Sequence, residues 1–394
     1  MSIARRDFLA SLAAIGGASL LRPTGAQAQA QERDPGDAWY SKPRRYAYDK
    51  PIIDCHYHWY PQEFVDLMVK EGPNHGATIE GPNEEGSYSA VIGPSAGYAE
   101  GGGSTFRREM RDFDIMFRQM DDRDVDMYVL TMTHPHMYWA APDFALELCQ
   151  VYNDANSAAT VKYPDRFYAS ILLPMQAPDL AVKEVQRAAK LPGVKAVQIA
   201  ENINEENLHL KKFWPVFEAI DSLNLPILLK NINPMHFRLK ADENEGFSMT
   251  NFLGNPFEAT TVCAGLMMSG VLDTFPNLDF YLPHAGGFFV FVTPRIDHSM
   301  RRTANRASSA FKNMKRDLAS DYRDRFHYDL ITHSPQLTRY QIDLAGVESI
   351  VCGTDYPQGM AIMQPVDFVE QIPGITKAEA EAILCDNPAR LLRV

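Results

Sequence analysis

Short apolar runs recur along this chain, and longer stretches of helical character alternate with them. From residue 51 the apolar runs are Pro51–His56, Met127–Met132, Phe167–Leu173, Val194–Ile199, Pro226–Lys230, Leu278–Leu282, Phe326–Leu330 and Ser349–Gly353. Each is five to seven residues of mostly aliphatic or β-branched character, the signature of strands buried on both faces. Between and after them, Asp143–Tyr163, Pro178–Lys190, Lys212–Leu223, Pro256–Phe275, Pro335–Leu344 and Lys377–Leu392 read as helices. Eight strands alternating with helix-length segments predict a parallel sheet with right-handed crossovers, and eight such units close into a (β/α)8 TIM barrel. The rival, an open doubly wound sheet, lacks a Gly-rich phosphate loop after its first strand. Residues 72–105, rich in Gly, Ser and Asn, read as a long loop of the kind that forms lids.

The N-terminus departs from this pattern. Arg5-Arg6-Asp7-Phe8-Leu9 has a twin-arginine look, an Ala/Gly-rich apolar stretch runs from Phe8 to Leu21, and Ala28-Gln29-Ala30 offers a small-residue cleavage site. The expected layout is a Tat signal over 1–30, a polar linker over 31–50 and a barrel over 51–394. It implies passage through the Tat translocase and residence in the periplasm. The apolar stretch is too short to span a bilayer, so no stable membrane anchor is expected. A net charge of −12 without a basic run argues against nucleic acid as a partner and leaves a small-molecule substrate. The five cysteines, Cys55, Cys149, Cys263, Cys352 and Cys385, are scattered, form no CxxC pair and read as buried small residues rather than a disulfide framework.

In a barrel, the chemistry sits where strands end at the C-terminal face. His56 and His58 alternate on the first strand, so their rings share one side and make half of a divalent metal site, to which Asp355 after the eighth strand adds a carboxylate. His284 follows the sixth strand, beside small residues, and suits proton transfer at neutral pH. Trp59, His134, His136, Tyr138 and Trp139 lie in loops expected near the mouth, to line a pocket or simply to pack.

These residues carry a resemblance. Asp54-Cys55-His56-Tyr57-His58, Pro283-His284-Ala285-Gly286-Gly287, Gly353-Thr354-Asp355-Tyr356-Pro357 and Asn387-Pro388-Ala389-Arg390 resemble, in order, motifs of the amidohydrolase-2 family, in its aminocarboxymuconate-semialdehyde decarboxylase-like branch. The resemblance implies an enzyme with one divalent metal, zinc being the first expectation, held by His56, His58 and Asp355. Asp355 would also serve in catalysis, with His284 handling the proton. It implies a substrate-binding role for Arg295, reaching a neighbouring subunit's substrate carboxylate in a homodimer, and for Arg118; Trp59 is a third pocket candidate. The reaction implied is non-oxidative decarboxylation of a small aromatic or unsaturated carboxylate. Hydrolysis of a small lactone, amide or C–C bond, and a metal-poor relative that binds without turnover, are the alternatives.

One position departs from the family. Lys230 stands at the end of the fifth strand, where the family has a histidine ligand. An ammonium repels a metal; a neutral lysine could act as a base, a carbamylated one could bind the ion, or His236 could fold back in its place.

Overall fold

The computed structural model describes residues 45–92, 103–232 and 248–394. The expected export signal, His236 and most of the Gly-rich end of the expected lid lie outside the described residues.

Seven parallel strands form one sheet in chain order: Ile53–His58, Met127–Thr131, Phe167–Leu172, Val194–Ala200, Ile227–Lys230, Phe280–Leu282 and Phe326–Tyr328. The eighth expected strand is an irregular segment that closes the ring by single bridges. Tyr328 pairs with Ile350 on one side and Tyr57 with Tyr356 on the other, and Cys55 N donates to Cys352 O at 2.9 Å. The barrel is therefore (β/α)8. Its eighth stave loses regular strand form because it must turn sharply through Asp355, whose φ is +65°.

Ile53, Cys55, Met127, Val129, Ala196, Leu228, Tyr281 and Val351 pack together as an apolar core, against Leu391 and Leu392 of the last helix. All five cysteines are buried and free, as read from their spacing. The closing helix runs from Lys377 to Leu392, with one widened turn at Ala382–Asp386. Helices Gln62–Glu71, Phe113–Asp122, Phe289–Arg302 and Pro365–Glu370 add to those expected. Among the described residues no helix is long and apolar enough to cross a membrane.

One expectation is corrected. Residues 72–105 are not a single loop: Ala77–Glu80, Tyr88–Ile92 and Gly103–Phe106 pair as a three-stranded antiparallel sheet. The polar residues of Asn83–Gly86 form its first turn, where the Asn83 side chain accepts from Glu85 N and Ser87 N. The described residues just before 51 also pack on the barrel. Main-chain N–H groups of Arg45 and Tyr46 and the Tyr48 hydroxyl all donate to the Glu370 carboxylate, and Lys50 pairs with Glu381 and Asp386.

Candidate active site

The first strand carries a bulge that decides where its histidines point. Its pairing with the second strand runs Ile53–Met127 and Asp54–Tyr128, then resumes at Tyr57–Leu130 and His58–Thr131, so two residues oppose Val129 alone. Strict alternation from Ile53 and Cys55, both in the core, would send His56 outward. The extra residue shifts the phase, and His56 and His58 both face the barrel interior with ring centroids 5.1 Å apart. Tyr57 turns outward and stacks on Tyr128 at 3.9 Å.

Asp355 is brought to them from the other end of the chain by a buried clamp. The Asp54 carboxylate accepts from His56 N at 3.0 Å and Thr354 N at 3.1 Å. Arg123, 2% exposed, donates to Thr354 Oγ1 and Tyr128 OH, both at 2.8 Å, and lies over the Tyr356 ring at 4.0 Å. A Cβ on Gly353 would fall 2.1 Å from the Tyr281 hydroxyl, so only glycine fits there. In this frame Asp355 Oδ1 lies 2.7 Å from His58 Nε2 and 3.2 Å from His56 Nε2, and the three donor atoms fall within 4.8 Å of one another.

The electrostatics suit a cation. Burial, reinforced by the nearby Lys230, holds His56 well below the usual imidazole range. Burial also lowers His58, against its hydrogen bond to Asp355. Burial alone would raise Asp355, but the His58 hydrogen bond and the neighbouring basic groups outweigh it and keep the carboxylate ionised. Two neutral imidazoles and one carboxylate are a donor set for a divalent transition ion, and these residues fit one.

Asp329, directly after the seventh strand, went unnoticed in the sequence, where the run Phe326–Leu330 placed it inside the strand rather than at its end. It is fully buried. Its carboxylate accepts from Ala285 N at 2.7 Å, Ile331 N at 3.0 Å, His284 N at 3.1 Å and Tyr281 OH at 3.0 Å, and lies 3.2 Å from His56 Nδ1. Burial lifts its carboxyl to about 7 against these bonds. A carboxylate behind a ligand imidazole sets tautomer and ring orientation. Asp329→Asn is expected to weaken divalent metal binding by about 10–100-fold, the usual scale for such an outer partner. Metal titration followed by calorimetry measures this, and an unchanged affinity would remove Asp329 from the site.

His284 sits in a turn of left-handed residues, with φ +52° at His284 and +55° at Ala285. Gly287 permits the turn: a Cβ there would meet the Pro256 carbonyl oxygen at 1.9 Å. The His284 ring lies 6.2 Å from that of His56, and its Nδ1 has no hydrogen-bond partner. Burial lowers its pKa and the Asp355 charge opposes the shift.

Lys230 is 1% exposed, its Nζ has no hydrogen-bond partner among the described residues and lies 5.9 Å over the Tyr281 ring. Burial depresses its pKa to about 7, against the pull of Asp355, Asp329 and Asp54. The amine thus stands near the charged groups of the His–Asp site, and burial favours its neutral form.

A cavity of about 470 Å³ opens over this group, lined by Tyr60, Arg107, His134, Asn231, His284 and Asp355 among others. Three expected pocket residues are not brought to it. Trp59 is buried behind the wall, stacked on Phe113 and edge-on to Tyr152, so Tyr60 lines the cavity instead. Arg118 is exposed on the helix Phe113–Asp122 and is no part of the lining. Arg295 is also exposed, on Phe289–Arg302, outside the cavity of its own chain. The arginine in the cavity is Arg107, directly after the antiparallel sheet, its Nη2 donating to Pro357 O at 2.6 Å and its Nη1 3.2 Å from Glu109. No periodic signal in the Gly-rich stretch before it marked it out. Of the aromatic loop residues, His134 lines the cavity, lowered by burial to about 4, while His136 is buried against Tyr138.

A closed parallel barrel with an H-x-H pair ending its first strand and an aspartate after its eighth defines a metal-dependent barrel enzyme of the amidohydrolase type. Residues 53–394 match the amidohydrolase family, and the chain belongs to it. It is 26% identical to a 2-amino-3-carboxymuconate-6-semialdehyde decarboxylase of Dictyostelium discoideum, over 86% of this chain and 91% of that one. It is also 26% identical to a gamma-resorcylate decarboxylase of Polaromonas sp., over 62% of this chain and 76% of the other. Among solved structures, Metarhizium anisopliae IDCase in apo form superposes with a TM-score of 0.72 at 21% identity, covering 88% of this chain and 97% of that one. A dihydroxybenzoic acid decarboxylase from Polaromonas sp., with bound manganese and 2-nitroresorcinol, superposes with a TM-score of 0.67 at 22% identity, covering 87% and 97%. The protein is an enzyme of this family, and the relatives it falls with are decarboxylases.

Proposed function

We propose that the protein is a metal-dependent decarboxylase of a small aromatic or unsaturated carboxylate. The observation that carries this reading is one cavity holding a guanidinium, Arg107, and a proton-carrying imidazole, His284, together with Asp355 of the His56–His58–Asp355 group. A divalent ion held by those three residues, zinc in this proposal, would supply Lewis-acid polarisation of a substrate oxygen. Arg107 pairs with the substrate carboxylate. The carbon–carboxyl bond breaks, its electron pair stays on the carbon, carbon dioxide leaves, and His284 delivers the replacing proton. His284 is neutral in the free protein, so it first takes that proton from substrate or solvent.

The test is carbon dioxide release from a panel of hydroxybenzoates and unsaturated dicarboxylates by metal-loaded protein. Products without carbon dioxide release, as from lactones or amides, would overturn the reading. Arg107→Gln is expected to raise KM about 10–100-fold with a smaller change in kcat, since a charge-assisted hydrogen bond contributes ~1.5–3 kcal/mol.

Arg295, exposed on its helix, supports a homodimer in which it reaches the partner's cavity, and sedimentation of the native chain decides this. Export is part of the proposal: residues 1–30 form a Tat signal followed by a linker, with the barrel as the periplasmic enzyme. Changing Arg5 and Arg6 together to Lys is expected to keep the precursor in the cytoplasm, whereas the native chain is processed near Ala30. Periplasmic delivery of the double variant at the native level, by fractionation and immunoblot, would remove this part.

A further inference from the structure

A second cavity of about 280 Å³ adjoins the first across His284, Asn251 and Met360, which line both. Its walls differ in chemistry. The first cavity carries Arg107, His134, Asn231 and Asp355; the second is walled by Phe252, Pro256, Phe291, Ile331 and Leu337. Two of its polar lining groups have no hydrogen-bond partner among the described residues. Gln341, 2% exposed, donates from Nε2 to Ala285 O at 2.9 Å, which turns its Oε1 the other way and leaves that oxygen without a partner. The Nδ1 of His284, on the shared wall, is also unpaired. A buried acceptor without a partner costs about 1–3 kcal/mol, and a ligand donor would recover part of it.

We infer that this second cavity is a substrate subsite, which takes an apolar extension of the substrate carrying a hydroxyl or amino donor at its far end. The inference rests on the decarboxylase reading for where the carboxylate sits, beside Arg107. Continuity through His284 makes the extension part of the same molecule that reacts. Its walls then select among carboxylates: a compact single ring fills only the polar cavity, whereas a substrate with a second apolar ring or chain fills both. A hydrophobic pocket discriminates by the area it buries, and an orphan acceptor discriminates further for a partner that donates to it.

The test uses the metal-loaded full chain and three non-natural probes, benzoate, biphenyl-4-carboxylate and 4′-hydroxybiphenyl-4-carboxylate, with binding read by calorimetry. The biphenyl acid is expected to bind at least about tenfold tighter than benzoate, and the hydroxylated acid several-fold tighter again. Leu337→Trp, at a half-exposed position on the rim, is expected to bring the biphenyl-to-benzoate affinity ratio to about one. Equal binding of all three probes by native protein overturns the inference. So does an unchanged ratio in the variant accompanied by a shift in sedimentation, which would make this wall a contact between copies of the chain. A native preference for the biphenyl acids that Leu337→Trp abolishes, in a protein that releases no carbon dioxide from any carboxylate, upholds the subsite and sinks the decarboxylase reading instead.

Discussion

Replacing His284 with alanine is expected to lower kcat by about 10²–10⁴, the scale of a lost general acid–base group, while the divalent metal content stays at the native level. The imidazole lines the cavity and its Nδ1 has no protein partner, so nothing in the fold depends on that nitrogen. The links between this turn and the His56–His58–Asp355 group are main-chain ones: His284 N and Ala285 N donate to Asp329, and Asp329 contacts His56. Alanine keeps those N–H groups. It does inherit φ +52°, a conformation that asparagine tolerates better, so His284→Asn serves as the control for backbone strain. Both variants should lose activity alike. Metal lost along with activity would make His284 a ligand and overturn the assignment, and activity kept in both would place the proton donor elsewhere.

Lys230→His is expected to raise metal retention from partial occupancy to about one ion per chain after dialysis at pH 6. In the native protein the Lys230 amine titrates near 7. Below that pH it is an ammonium, which would repel a divalent ion held by His56, His58 and Asp355. Above it the amine is neutral and can donate a lone pair. Native affinity should therefore climb as pH rises from 6 to 8. An imidazole in this buried place is lowered like its neighbours His56 and His58 and is neutral across that range, so the variant's affinity should be nearly flat. Elemental analysis of both proteins at the two pH values measures this. Equal native occupancy at pH 6 and 8, matched by the variant, would mean that Lys230 does not face the ion. The same pH dependence gives a kinetic corollary: the acid limb of native activity should follow metal loss and disappear in the variant.

Much of the site was legible because barrel chemistry collects at strand ends. The rule that a polar residue closing a buried apolar run faces the mouth picked out His56, His58, Lys230, His284 and Asp355, and the structure gathers all five around one point. Asp329 escaped the rule because its run read as Phe326–Leu330, whereas in the structure the strand stops at Tyr328 and Asp329 closes it. Arginines were harder. Arg118 and Arg107 both follow the Gly-rich stretch, and nothing in local spacing separates a solvent-facing helical arginine from one aimed at a cavity. Their difference is set by the antiparallel sheet Ala77–Phe106, whose strands hide among turn residues.

By itself, the sequence determined the alternation of strand and helix, hence the barrel, and which residue types stand at its C-terminal rim. Both follow from local period and from the need to bury apolar runs. Tertiary structure alone decided the rest, because it depends on residues remote in the chain. The bulge opposite Val129 turns His56 inward. The Asp54–Arg123–Thr354 clamp carries Asp355 to the first strand across 300 residues. The depth of burial turns Lys230 from a cation into an amine that titrates near neutrality. Whether a lysine repels a metal or accepts one is a matter of dielectric and neighbours, and neither is written at its own position in the chain.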